Sequence, residues 1–408
     1  MNNEIRVMFV GVGYFSFPTS GEKNFFYWIS PLIAQEADMV VFLSINDSTD
    51  YMTIQKFGED EIPIFNLRRP LHFNKRNKYL KKIGAYYFYH HLHRPLREIV
   101  ERFLSLFFSL FKIRQIVKKY KINVIHFMDN FGPSMRMIKS FFPKIKISYS
   151  PANYEPRGRF YNFYLKNSFS VLDRIFPLTS VYKNILVKIG LDAKKIKVIK
   201  WGIQFPDNAI SGEEKRRIRK DLGCQSDDKL FLWTGYIQQI KEKDFYRSIQ
   251  IAKRIVAGTK NVRFIFCFKP ECYQNWYKNE ESDRIRVLTD LPNFQKVLTS
   301  ADFLFSPVGE INSTVSPPLT WIEAMALGTP VITTKLGGVE EITLNNKNGF
   351  ISHSYNSLYK TVVEILKRKD LSLISTKARE FVRQNYNLKD IAKEYIDSWK
   401  EMLINEKP

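Results

Sequence analysis

Short apolar runs alternate with amphipathic stretches along almost the whole chain. The strand-like runs are IRVMFVGVG (5–13), MVVFLSI (39–45), NVIHFMD (123–129), KIKISYS (144–150), RIFPLTS (174–180) and KIKVIKWGI (195–203). After a polar stretch, PDNAISGEEKRR, the rhythm restarts with KLFLWTG (229–235), VRFIFCF (262–268), RIRVLTD (284–290), ADFLFSP (301–307), PVITT (330–334) and GFIS (349–352). Helical patterns follow at about 22–37, 181–189 and 243–256, and the run AREFVRQNYNLKDIAKEYIDSWKEMLI reads as one C-terminal helix with an aromatic and aliphatic stripe. Continuous β-branched and aromatic runs, each followed by a helix, indicate parallel sheets covered on both faces. Two such series, with a break near 205–214, predict an α/β chain of two Rossmann-like doubly wound domains facing a cleft. The predicted division is 1–205, with a basic aromatic helical insert at about 68–121, then 206–380, then a C-terminal helix over 381–408.

The chain has 408 residues, 44% of them hydrophobic and 25% charged, which suits two globular domains with full cores. Its three cysteines, Cys224, Cys267 and Cys272, form no C-x-x-C pair. A disulfide framework, a zinc site and a redox motif are therefore not expected, and a reducing, cytoplasmic setting fits. The opening MNNEIRVMFVGVGYF lacks a signal-peptide pattern and reads as a strand. No apolar run approaches the roughly 20 residues of a membrane-spanning helix.

Charge changes the picture. The formal net charge is +22, and it is uneven: residues 68–121 carry fifteen Lys and Arg against two Glu. The same stretch is rich in Phe and Tyr. Basic residues are drawn to an anionic leaflet and aromatic rings enter its headgroup boundary. An anionic membrane surface, with the protein peripheral on the inner face of the cell membrane, is the expected partner. No nucleic-acid recognition motif is present, so nucleic acid is not expected. His90, His91 and His93 lack a companion Cys or paired carboxylate and read as a surface cluster rather than a metal site.

Chemistry concentrates in VSPPLTWIEAMALGTPV (315–331). Ser316 is a plausible N-cap, with Pro317 and Pro318 in a first turn that needs no N–H donors. Gly328 and Pro330 end the helix. The unused N–H groups of Leu319 and Thr320, with the helix dipole, then make an anion site suited to a diphosphate. Glu323 lies one turn further on the same face. A carboxylate there can accept from two vicinal hydroxyls, as a ribose offers, or can simply point to solvent.

The stretch PPLTWIEAMALGTPVITTKLGGVEEI resembles the donor-site signature of family 4 (group 1) retaining glycosyltransferases of GT-B architecture. KVIKWGIQF (197–205), LFLWTGYIQQIKEKDF (230–245), VRFIFCF (262–268) and ADFLFSP (301–307) resemble further segments of that family. The resemblance covers nearly the whole chain, strongest over 301–342. It implies a metal-independent enzyme that moves a sugar, with retention, from a nucleotide diphosphate sugar to an acceptor. No other cofactor is implied. Carried over by position, Glu323 binds the ribose, Leu319 and Thr320 meet the diphosphate, and Lys241 pairs with the phosphates and the leaving group. Gly235 and Tyr236 fall where the family has its G-R pair. Gly11, Gly13 and Gly21 fall in the first strand-to-helix loop, with Gly13 and Gly21 as candidate phosphate contacts. Asp129, after the strand HFMD, is a candidate base or acceptor orienter, or the start of an Asx-turn. Glu341 matches a family Glu after the glycine pair, or caps locally.

Three positions depart from the pattern. Val315 stands where the family has an acid near the donor sugar, and Glu310 is close but out of register. Tyr236 replaces an Arg. The family's N-terminal-domain His has no counterpart near Ser150 and Asn153. The basic aromatic insert suggests a lipid-linked or glycan acceptor, as in bacterial surface polysaccharide or glycolipid synthesis. The resemblance also implies that the C-terminal helix crosses back to the N-terminal domain. Two other readings fit the same residues: a nucleotide-sugar epimerase on this fold, and a catalytically degenerate nucleotide-sugar-binding protein.

Overall fold

The computed structural model describes residues 4–12, 21–46, 52–57, 60–68, 103–151, 158–205, 210–235, 239–268, 280–288, 293–309 and 318–404. The chain divides into two compact units, Met1–Trp201 with Leu388–Pro408, and Gly202–Asn387.

The first unit is built on seven strands: β1 (Arg6–Val12), β2 (Met39–Asn46), β3 (Met52–Phe57), β4 (Asp60–Arg68), β5 (Val124–Phe127), β6 (Lys146–Tyr149) and β7 (Arg174–Ile175). Their order is β3-β4-β2-β1-β5-β6-β7. Helices α1 (Gly21–Glu36), α2 (Leu110–Lys119), α3 (Pro133–Phe141), α4 (Arg159–Phe169) and α5 (Ser180–Lys188) connect or flank them. Apart from β3, this is the doubly wound order, with β1 central and the strand order, not the strand direction, reversing between β1 and β5. Val7, Met8, Phe9 and Val10 of β1 are all buried, as a strand covered on both faces requires.

The second unit repeats the plan with β8 (Lys229–Gly235), β9 (Val262–Phe268), β10 (Ile285–Leu288), β11 (Phe303–Phe305), β12 (Val331–Thr334) and β13 (Gly349–Ser352), all parallel, in the order β10-β9-β8-β11-β12-β13. Its helices are α6 (Gly212–Asp221), α7 (Gln239–Gly258), α8 (Phe294–Ser300), α9 (Leu319–Ala326), α10 (Tyr355–Leu366) and α11 (Leu371–Asn385). Ser211 caps α6 by accepting from Glu214 N, and Ser354 with Ser357 forms a capping box on α10. The core is aromatic, with Phe231 stacked on Phe264 at 4.7 Å and against Phe303 at 5.0 Å.

The last helix, α12 (Leu388–Ile404), belongs to the first unit. Its Tyr395 and Trp399 are fully buried there. Tyr395 Oη lies 2.8 Å from Ser150 Oγ, and Trp399 Nε1 donates to Ser148 Oγ at 3.1 Å.

Four expectations need correction. The segment 195–203 is not a strand: Ala193–Lys195 is a 3-10 turn, and the rest makes only two isolated bridges, Ile196 to Ile175 of the sheet and Ile203 to Asn387. The first sheet is not wholly parallel, because β3 and β4 form an antiparallel hairpin at its edge. The C-terminal run is two helices, broken where the backbone of buried Tyr386 turns to accept from Ile203 N at 3.2 Å. That pairing keeps α11 in the second unit, so the boundaries fall after Trp201 and after Asn387 rather than at 205 and 380. The proposed insert lies largely outside the described residues, with 103–121 inside them.

Candidate functional site

In a doubly wound sheet the ligand crevice lies beyond the carboxyl ends of the strands where their order reverses. In the second unit that point is between β8 and β11. Gly235 ends β8. A Cβ there would stand 2.8 Å from Cη2 of the Trp233 ring, so glycine makes room for the indole. Tyr236 lies outside the described residues. Lys241 is the third residue of α7, which places it at this end of β8; its side chain lies outside the described residues.

After β11 the chain passes through Ser306 to Gly309. Val308 N donates to Thr334 Oγ1 at 2.9 Å, and the Thr334 hydroxyl donates back to the Val308 carbonyl. This pins the segment to the end of β12. Gly309 packs against a cluster that sequence reading did not find, made of buried Asp244, half-buried Tyr355 and exposed Arg247. Tyr355 donates its hydroxyl to Asp244 Oδ1 at 2.9 Å, and the Arg247 guanidinium lies 5.3 Å from the Tyr355 ring. A Cβ on Gly309 would meet Asp244 Oδ1 at 2.7 Å and Arg247 Nη1 at 2.8 Å. Burial, then the Asp244 charge, raises the Tyr355 pKa far above its ordinary value, so the phenol remains a neutral donor. No motif announces this cluster, because its members come from α7, α10 and a loop.

Glu310, Val315, Ser316 and Pro317 lie outside the described residues. Helix α9 starts two residues later than the sequence suggests, with its N-cap at Pro318 rather than Ser316. Pro318 is its N-cap, extended at ψ 131°, and its carbonyl accepts from Trp321 N at 2.8 Å. The prolines therefore precede the first turn. Trp321 Nε1 donates to Ser306 Oγ at 2.9 Å and fastens the helix start to the end of β11. The N–H groups of Leu319 and Thr320 have no partner among the described residues. Leu319 packs its side chain inward, while Thr320 and Glu323 are half-buried one turn apart. The other end is fixed by a Schellman motif: Thr329 N donates to Ala324 O at 2.8 Å, and Gly328 N to Met325 O at 3.0 Å, with Gly328 left-handed at φ 82°. Two backbone donors, the positive end of a helix and the start of α7 thus converge on one switch point. That arrangement can hold an anion and present a carboxylate to hydroxyls one turn away.

In the first unit Asp129 follows β5. Its Oδ2 accepts from Val12 N at 2.8 Å and ties the end of β5 to the end of β1. The Asx-turn considered for Asp129 belongs to Asn130, whose Oδ1 accepts from Gly132 N at 2.9 Å. Of the glycines expected in the first loop, Gly11 lies in β1 opposite Ser44 and Gly21 is the first residue of α1. Gly13 lies outside the described residues. Glu341 sits in a 3-10 turn; burial, and then the Glu341 charge, push the Tyr386 phenol well above its ordinary pKa. Among the described residues no group of three His, Cys, Asp or Glu could hold a metal ion.

The two sheets define the fold of GT-B glycosyltransferases. Solved structures agree over nearly the whole chain: a glycosyltransferase from Rickettsia africae (TM-score 0.70, 15% identity, 99% of this chain and 100% of that one) and Anabaena HepE in complex with UDP and glucose (0.66, 13%, 98% and 100%). Residues 228–368 match the family model described as glycosyl transferases group 1, which places the resemblance to that group on the unit that carries α9. Among curated relatives, an uncharacterized glycosyltransferase of Methanocaldococcus jannaschii, MJ1607, is 30% identical over 220 residues, covering 50% of this chain and 54% of its own. The putative teichuronic acid biosynthesis glycosyltransferase TuaC of Bacillus subtilis is 27% identical over 190 residues, covering 45% of each. The chain spans about half the length of the curated relatives it matches.

Proposed function

We propose that the protein is a glycosyltransferase that moves a sugar from a nucleoside diphosphate sugar to an acceptor, with retention and without a metal ion. The observation that carries this reading is the start of α9, where the N–H groups of Leu319 and Thr320, without a partner among the described residues, stand one turn from Glu323 at the switch point of the second sheet. The diphosphate lies on those donors, and Glu323 accepts from the ribose hydroxyls. As the sugar leaves, charge grows on the diphosphate. A fixed cation at Lys241 and the helix dipole stabilise it more than they stabilise the intact donor, which is how preorganised charge speeds a step. The acceptor binds the first unit, where Asp129 orients it; a lipid-linked or glycan acceptor of surface polysaccharide or glycolipid synthesis fits the basic aromatic stretch.

The test is donor consumption across UDP-, GDP-, ADP- and dTDP-sugars, with and without membrane lipid extract. One donor is consumed only with extract, and Glu323→Ala lowers kcat/KM by about a hundredfold or more, since each hydrogen bond to a charged group contributes about 1.5–3 kcal/mol. Turnover of donor without any acceptor supports an epimerase instead. If no donor is consumed but one nucleotide protects against heat, the substitutions at Val315 and Tyr236 have left a binding protein.

A further inference from the structure

The proposed reaction does not use the outer face of the helical segment that leads into β5. Residues 103–108 are helical, and α2 continues to Lys119. The inner face is core: Leu106, Ile113 and Ile116 are buried, and Tyr120 packs edge-on against Phe65 of β4 at 5.8 Å. The outer face is different. Phe107, Phe108 and Phe111 are 48%, 65% and 73% exposed. Phe107 lies 6.2 Å from the Phe103 ring and 5.6 Å from the Phe108 ring, so the aromatics form a continuous patch. Exposed Lys112, Arg114, Lys118, Lys119 and Lys121 follow it along the helix, and residues 103–121 contain no Asp or Glu. Arg114, Lys118, Lys119 and Lys121 have no carboxylate partner among the described residues.

We infer that this face docks on an anionic bilayer. The helix is held rigidly by its inner side, so it presents the phenyl rings without an ordering cost. Rings with no polar tip suit the acyl–headgroup boundary, and an acid-free run of cations beside them complements anionic headgroups. A protein partner would be expected to meet at least one counter-charge, and a single strand of nucleic acid needs a groove to track. Phe107, Phe108 and Phe111 enter the boundary while the cations rest on the headgroups. No helix among the described residues is long and apolar enough to cross the membrane, so the contact is superficial. This inference goes beyond the proposed reaction and does not depend on it.

The test is flotation of the full chain with vesicles of phosphatidylcholine alone or mixed with phosphatidylglycerol, in the absence of donor and acceptor. Binding is expected only to the anionic vesicles and weakens with added salt. Phe107→Ser/Phe108→Ser/Phe111→Ser lowers partitioning by about tenfold or more, with the thermal transition unchanged. Lys118→Gln/Lys119→Gln lowers it by a similar factor on anionic vesicles. A Phe111→Trp reporter is quenched by brominated acyl chains. The inference is overturned if the native chain does not float, if it floats equally on neutral vesicles, or if the triple Phe variant floats as well as the native chain. It is also overturned if that variant instead turns a dimer into a monomer, which would mean that a second copy covers this face.

Discussion

Replacing His126 with Phe should flatten the acid side of the first unit's stability profile. His126 sits on β5, fully buried. Its Nδ1 lies 2.9 Å from Ser148 Oγ. That oxygen also accepts from Trp399 Nε1 of α12. Nε2 has no hydrogen-bond partner. Aromatic rings surround it instead: Phe9 at 5.4 Å and Tyr395 at 5.5 Å, both edge-on, with Phe26, Phe176 and Trp399 within 6.0 Å. Nothing there can compensate an imidazolium. Burial alone lowers the pKa from 6.5 to about 3, with no charged group contributing.

The folded pKa is depressed, so the native state refuses a proton that the unfolded chain accepts. Stability is therefore full above about pH 6.5 and falls with pH until the native imidazole also titrates, near pH 3. The complete loss is about 5 kcal/mol, and about 2 kcal/mol of it has occurred by pH 5. For a unit of this size, the latter corresponds to a fall of roughly 4–8 °C in its midpoint. Because two domains need not melt together, the reading should be local: hydrogen exchange of the Val124–Phe127 and Lys146–Tyr149 amides from about pH 7.5 to 5, in the native chain and in His126→Phe. Carboxylates contribute the same slope to both proteins, so their difference isolates the histidine. The reasoning is refuted if the two profiles run parallel, or if the His126 ring protons titrate near 6.5.

Two further substitutions test the second unit. Leu319→Pro removes one backbone donor at a position where proline fits both the helix start and the extended Pro318 before it, so nucleotide affinity should fall about tenfold in calorimetry while α9 persists; unchanged affinity would remove Leu319 N–H from the anion site. Tyr355→Phe strips a donor from buried Asp244 and should cost about 1–3 kcal/mol in chemical denaturation, with no loss if the carboxylate simply finds water.

The central strands were legible because they are buried on both faces and bounded by glycine or polar residues; β8 and β9 begin and end where KLFLWTG and VRFIFCF do. The edge was not. β3 leaves Ile54 exposed, and β4 carries Pro63, a residue that argues against a strand unless the strand lies near an edge. The segment 195–203 has a strand's composition, because Ile196, Ile199 and Trp201 are buried, but hydrophobicity does not reveal that only isolated bridges form. The break between α11 and α12 has no Gly or Pro to mark it. Glu323 could be placed from helix-end signals alone. Lys241 could be named only from the family resemblance. Asp129 needed the fold, since the amide it accepts lies 117 residues away on a strand whose neighbour no periodicity identifies.

The two sheets solve the same problem at their amino ends and different problems at their carboxyl ends. Asn123, just before β5, accepts from Arg6 N of β1 at 3.0 Å, and Asp302, just before β11, accepts from Leu230 N of β8 at 2.8 Å. In each unit one polar side chain closes the gap between the two central strands. Beyond the carboxyl ends the parallel stops. The first unit closes β1 to β5 with the Asp129 carboxylate, which puts negative charge at its switch point. The second unit closes its corner with the neutral Trp321–Ser306 pair, leaves the start of α9 with open donors, and begins α7 with a lysine. A diphosphate is repelled by the first arrangement and attracted by the second. An acceptor hydroxyl, which must give up a proton, has the opposite preference. The proposed placing of donor on the second unit and acceptor on the first therefore rests on this split of charge as well as on the sequence signature that suggested it.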